Sequence, residues 1–145
     1  MAPLPPCGPL PEPDPGWELR DEGPFSFRLP REYRKQEVHG IDSFVGEYAA
    51  SGRNFLFDYG MYSSSLTEWD AARQFHACRD SITGHQVKIV TAHEADGRYV
   101  AGVVWRELEP GLHLTIHARA RTAAQQQEAL AAMRTVRFNP PRRER

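Results

Sequence analysis

Hydrophobic and polar residues alternate through most of this chain, and the alternation predicts strands. The clearest case is a hairpin. One arm reads GIDSFVGEY at 40–48 and the other NFLFDYGMYS at 54–63, joined by Ala50-Ser51-Gly52-Arg53. Pairing Tyr48 with Phe55 sets the register. Phe44, Gly46 and Tyr48 then share a face with Phe55, Phe57 and Tyr59, while Val45, Leu56 and Asp58 point the other way. Before the hairpin, Phe25, Phe27 and Leu29 alternate with Ser26 and Arg28, a first strand stopped by Pro30, and residues 30–40 read as a polar loop. After it, Thr67-Glu68-Trp69-Asp70 has the spacing of a capping box. It predicts a helix to about Arg79, with Trp69, Ala72, Phe75 and Cys78 on one face.

The second half repeats the theme. Val87, Ile89 and Thr91 alternate with Lys88, Val90 and Ala92. Asp96-Gly97 signals a tight hairpin, because a type I′ turn needs positive φ at both central residues. The return strand, Arg98 to Glu107, carries Tyr99, Ala101, Val103 and Trp105 on one face, and Glu109-Pro110-Gly111 turns the chain again. Leu112, Leu114, Ile116 and Ala118 line a sixth strand. Thr122-Ala123-Ala124-Gln125 is a second capping box. It opens an alanine-rich helix to Arg134 whose buried stripe is expected at Ala123, Ala129, Leu130 and Met133. Val136 and Phe138 make a closing strand. The order βββ-α-βββ-α-β predicts an α+β fold, a largely antiparallel six- to seven-stranded sheet flanked by two helices.

The ends differ from this body. Residues 1–16 hold prolines at 3, 5, 6, 9, 11, 13 and 15, so they are expected to be an extended, mobile tail or linker. Residues 17–139 form a single domain, and 140–145 a frayed basic tail.

Composition narrows the function classes. The 145 residues carry a net charge of −1, and only Lys35 and Lys88 are lysines. No global field would hold nucleic acid or an anionic membrane, and no apolar run reaches the roughly 20 residues that cross a bilayer. No basic region followed by an apolar stretch opens the chain. A cytoplasmic protein and an exported one whose leader has been removed both fit. Cys7 and Cys78 have no metal-ligand spacing and read as two unrelated thiols. A disulfide pinning the tail would require an oxidising compartment. A lipidated Cys7 is disfavoured, because MAPLPP is too short and proline-rich for the preceding signal.

The layout resembles the PsbP-like fold. The carriers are the first strand FSFRLP, the mid-chain helix, the three-strand meander, and the last helix running through Ala131-Ala132-Met133-Arg134-Thr135-Val136-Arg137-Phe138. That superfamily includes a photosystem II extrinsic protein and a Ran-binding nuclear import factor, and the resemblance spans residues 25–139. GIDSFVGEY and FDYGMYS look like an uncharacterised bacterial branch. The resemblance implies an α/β/α sandwich and a binding or assembly role with a protein partner, as a monomer or homodimer. The photosystem and Ran-binding residues find no match here, so neither activity carries over.

Candidate chemistry is sparse. His113 and His117 are four apart, but on a strand that spacing puts them ~13 Å apart, too far to share one ion. His76 and Cys78 do not share a helical face. His39, His85 and His93 flank strands. Asp42, Ser43, Asp58, Tyr59 and Tyr62 gather near one end of the first hairpin. Two carboxylates there could hold a cation or run acid–base chemistry, and Tyr59, Tyr62 and Trp69 could line a small-molecule pocket. The same residues serve equally as turn caps and edge seals. Phosphate-loop, nucleophile-elbow and zinc-protease motifs are all missing. A non-enzymatic binding module without cofactor or metal is the expectation. The alternative is a small-molecule-binding or hydrolytic protein using that acidic, tyrosine-rich end.

Overall fold

A computed structural model describes residues 4–38, 44–60, 66–67 and 73–140. Its described elements are ten strands and one helix. The strands are β1 Glu18–Asp21, β2 Phe25–Leu29, β3 Arg34–Gln36, β4 Phe44–Ala50, β5 Arg53–Gly60, β6 Arg73–Ile82, β7 His85–His93, β8 Tyr99–Glu109, β9 Leu112–Ala120 and β10 Arg137–Phe138. The helix, α1 Ala123–Met133, lies between β9 and β10. A seven-stranded antiparallel sheet has the order β3-β4-β5-β9-β8-β7-β6, and a small sheet has the order β1-β2-β10. The small sheet and α1 cover one face of the large sheet.

The first hairpin has the expected register, with Tyr48 opposite Phe55 and Val45 opposite Asp58. Its inner face meets β2 in an aromatic cluster. The Phe25 and Phe57 rings pack edge to face at 5.0 Å, and Phe27 and Tyr48 do so at 5.5 Å. Gly46 belongs to this packing, because a Cβ there would run into the Phe57 ring lying across it. Trp105, Leu114, Ile116 and Met133 complete a continuous core.

Three expectations need correction. Over its described part the helix predicted toward Arg79 is strand instead: residues 73–82 form β6, paired with β7 from Ile82–His85 onward. The deciding signal is the two-residue link Thr83-Gly84, whose φ values of +46° and +87° suit a hairpin turn of primed type. A free β7 edge then supplies partners for the backbone of β6, and pairing prevails over helical spacing. One helix is therefore found among the described residues, and the strands form two sheets. The polar loop at 30–40 contains β3, and β1 precedes the expected first strand. Both are short and mostly exposed, so neither has the alternation that betrays a strand.

The C-terminal helix forms over the expected residues. Thr122 Oγ1 accepts from Gln125 N at 3.1 Å, and the Gln125 side chain accepts from Arg121 N at 3.0 Å. Its buried stripe shifts. Ala123 is exposed, whereas Gln126 is buried and donates to the carbonyls of Ala92 and Val100. A glutamine read as surface is thus a cross-link between helix and sheet.

The proline-rich segment, expected to run free, is laid against the domain. Cys7 is disulfide-bonded to Cys78 on β6, which overturns the reading of two unrelated thiols. Cys7 N donates to Arg79 O at 2.9 Å, and Arg79 N donates to Pro5 O at 2.8 Å. Arg134 donates to Pro11 O at 2.6 Å. Proline cannot donate to a ladder, but its carbonyl accepts, and this segment uses its carbonyls.

Candidate functional site

The β4–β5 hairpin carries the residues singled out in the sequence. Asp42, Ser43 and Tyr62 lie outside the described residues, as does Trp69. Asp58 and Tyr59 are neighbours on β5 but project from opposite faces. Asp58 sits on the outer face between Val45 of β4 and Thr115 of β9. Tyr59 sits on the inner face between Phe44 and Leu114, with its ring 5.6 Å from Phe25. The two cannot act on one ligand.

Tyr59 opens onto a cleft of about 720 Å³. Its walls come from five places in the chain: the β1–β2 turn, the end of β5, the start of β7, the tip of the β8–β9 hairpin, and the residues around Phe138. The floor is aromatic and aliphatic, with Tyr59, Phe138, Leu108 and Leu112. The Phe138 ring meets His85 edge to face at 4.9 Å and Trp105 behind it at 6.1 Å. Asp21 and Glu109 supply carboxylates at the rim, both exposed, and among the described residues neither lysine nor arginine lines the cleft.

Local strand chemistry explains this shape. β8 departs from its register with β9 between Trp105 and Glu109. Glu107 stands at the irregularity with φ of +53°, a backbone state uncommon for residues other than glycine. Its amide donates to His113 Nδ1 at 3.1 Å, which holds the bulge. A bulge re-aims the residues after it, and here Leu108 and Glu109 reach the cleft. On the opposite wall, Asn139 donates to Gly23 O at 2.6 Å and to Asp21 Oδ1 at 3.2 Å. These bonds tie β10 to the β1–β2 turn, so the wall is preorganised.

Burial pushes the Tyr59 phenol above its usual range, and the nearby charge of Glu109 adds to that. The hydroxyl stays protonated at neutral pH and is available as a donor.

The histidine pair behaves as strand geometry requires. His113 and His117 both lie on β9, on the face that also carries Thr115, and His113 faces Glu107 at 3.7 Å. Among the described residues, no group of three or more His, Cys, Asp or Glu side chains is placed to hold a metal ion. His76 and Cys78 do share a face once β6 is a strand, but Cys78 is committed to the disulfide.

One polar cluster escaped the sequence reading. The Glu22 side chain is only 2% exposed, yet it accepts from the Tyr48 hydroxyl and pairs with Lys35 Nζ at 2.7 Å. The Arg20 guanidinium lies 5.3 Å from the Tyr48 ring centroid. Nearby, Arg53 bridges Glu32, Glu128 and the Tyr33 hydroxyl at 2.8, 3.0 and 3.2 Å. These partners are distant in sequence, and no motif announces them. Tyr48 and Tyr33 are almost wholly buried, so neither phenol is open to a ligand.

No protein-family model matches the chain, and no curated protein matches it. Solved structures do. The Ran-binding protein Mog1p of Saccharomyces cerevisiae aligns at a TM-score of 0.54 and 12% identity, over 85% of this chain and 96% of that one. A point mutant of Mog1 aligns with the same values. The largely antiparallel α+β layout expected from the sequence is therefore the fold of this chain, and it is shared with Mog1 in architecture alone.

Proposed function

We propose that this protein is a non-enzymatic binding module that seats part of a protein partner in the Tyr59 cleft. The carrying observation is the cleft itself: an apolar, aromatic floor between walls fixed by the Asn139 bonds and the Glu107 bulge. Recognition sites combine such a floor with a few polar groups that set orientation. The likeness to a Ran-binding protein supports a partner-binding use of the fold, by analogy of architecture. GIDSFVGEY and FDYGMYS support placing the chain in a bacterial branch of the PsbP-like superfamily, working as a monomer or homodimer.

The test is site-specific photo-crosslinking in cells of the source organism. A photoreactive residue at Leu112, in the cleft, should trap one partner. The same residue at Glu47, on the outer face, should trap none. Crosslinks from Glu47 with none from Leu112 would reject the cleft as the binding site.

A second reading has one observation in its favour. The cleft volume falls within the range of small-molecule pockets, roughly 300–1,000 Å³. Native mass spectrometry of the purified protein decides between them. A retained organic mass that disappears in Tyr59→Ala would establish a ligand-binding protein instead.

A further inference from the structure

The edge of β6 carries a device separate from the cleft. β6 is the last strand of the large sheet, with β7 on one side. An uncovered edge offers unpaired backbone groups to other chains. Here Pro5, Pro6 and Cys7 lie along it. Arg79 N donates to Pro5 O and Arg79 O accepts from Cys7 N, a single parallel bridge, while Arg79 Nε donates to Leu4 O at 3.0 Å. Two backbone bonds are a weak hold on a segment whose prolines cannot extend the ladder. The disulfide to Cys78 is the covalent part of the attachment.

We propose that the Cys7–Cys78 bond is a thiol–disulfide exchange site that controls whether the β6 edge is covered. Both cysteines are partly exposed, and Gly8 beside Cys7 has open space where a side chain would stand. A dithiol reductant has room to approach there. Its thiolate attacks Cys7 Sγ, forming a mixed disulfide and releasing Cys78 as a thiolate. The reductant's second thiol then attacks the mixed disulfide and frees Cys7. Two electrons and two protons pass to the cysteine pair, and the reductant leaves as its own disulfide. With the latch open, the hydrogen bonds described for residues 4–9 are those to Arg79, beside the packing of Cys7 against the core. Farther along, Arg134 still grips Leu10 and Pro11. The opened stretch therefore ends near Leu10, and the domain stays folded. The latch closes in oxidising compartments and opens in reducing ones.

Amide hydrogen exchange on the full chain tests this, comparing oxidised protein with protein reduced by dithiothreitol. Mass spectrometry confirms the gain of two protons. Arg79 and Cys7 amides should exchange at least about tenfold faster after reduction, while β5 and β9 amides keep their protection. Cys78→Ser should show the fast pattern with or without reductant. Unchanged Arg79 exchange in fully reduced protein would overturn the proposal. So would a uniform rise across all strands, which would make the bond a global staple. Resistance of the bond to dithiothreitol under native conditions would overturn it too.

Discussion

Tyr48 and Tyr59 stand on the same face of one hairpin, and their surroundings oppose each other. Tyr48 points into a network where Glu22 accepts a hydrogen bond from its hydroxyl and Lys35 balances the carboxylate. Tyr59 points toward solvent beside Glu109, over a floor that includes Phe138. Burial raises both phenols, and at Tyr48 the bond to Glu22 raises it further. At one end of the hairpin the polar chemistry is spent on the fold. At the other it is left exposed in the cleft. A tyrosine near a carboxylate therefore does not mark a site; what matters is whether its partners already satisfy it.

The largest break in this contrast should come from Glu22→Ala. It leaves the Tyr48 hydroxyl and Lys35 without their buried acceptor, and should cost about 2–4 kcal/mol in urea unfolding. Tyr48→Phe removes one buried hydrogen bond and leaves Glu22 its lysine, so about 1–2 kcal/mol is expected by the same measurement.

A pH series sharpens the closed end. Burial pushes the Tyr33 phenol up to about 12, against the opposing pull of Arg53. The ordinary tyrosine value near 10 applies in the unfolded chain. Folding therefore favours the protonated phenol. This stabilisation is complete below pH 10 and is lost as pH rises toward 12. Tm should fall across that window, and Tyr33→Phe should flatten the fall. A Tm unaffected by Tyr33→Phe would show that this phenol does not govern alkaline stability.

The smallest effect on stability is expected at the open end. Tyr59→Phe should change unfolding free energy by no more than about 0.5 kcal/mol, because the ring keeps its packing and the residue lines the open cleft. The same variant should weaken crosslinking from Leu112. A destabilisation as large as that of Tyr48→Phe would place Tyr59 with the structural tyrosines.

Much of the architecture was legible because the strands alternate cleanly and their turns announce themselves. The register of β4 with β5, the hairpin at Asp96-Gly97 and the Thr122 cap follow from local rules, although at that turn Gly97 alone has positive φ and the expected type I′ form is not adopted. Strand β6 was not legible as read, since its residues fit a helical spacing as well as an alternation. Thr83-Gly84 was the available clue, and reading it as a hairpin turn would have excluded the helix. The candidate site was legible in one residue, Tyr59. Its companions Asp21, His85, Glu109 and Phe138 come from four other segments, with no common spacing.

The residues themselves determined most strands of the large sheet, which face of each is apolar, and that the body is α+β. Local sterics and a period of two or 3.6 suffice for that. Tertiary structure alone decided that a proline-rich arm is bonded to β6 through Cys7 and that five separated segments enclose a cleft. Those outcomes depend on which backbone groups and side chains meet across the chain, and an adjacent-residue pattern carries no record of such meetings.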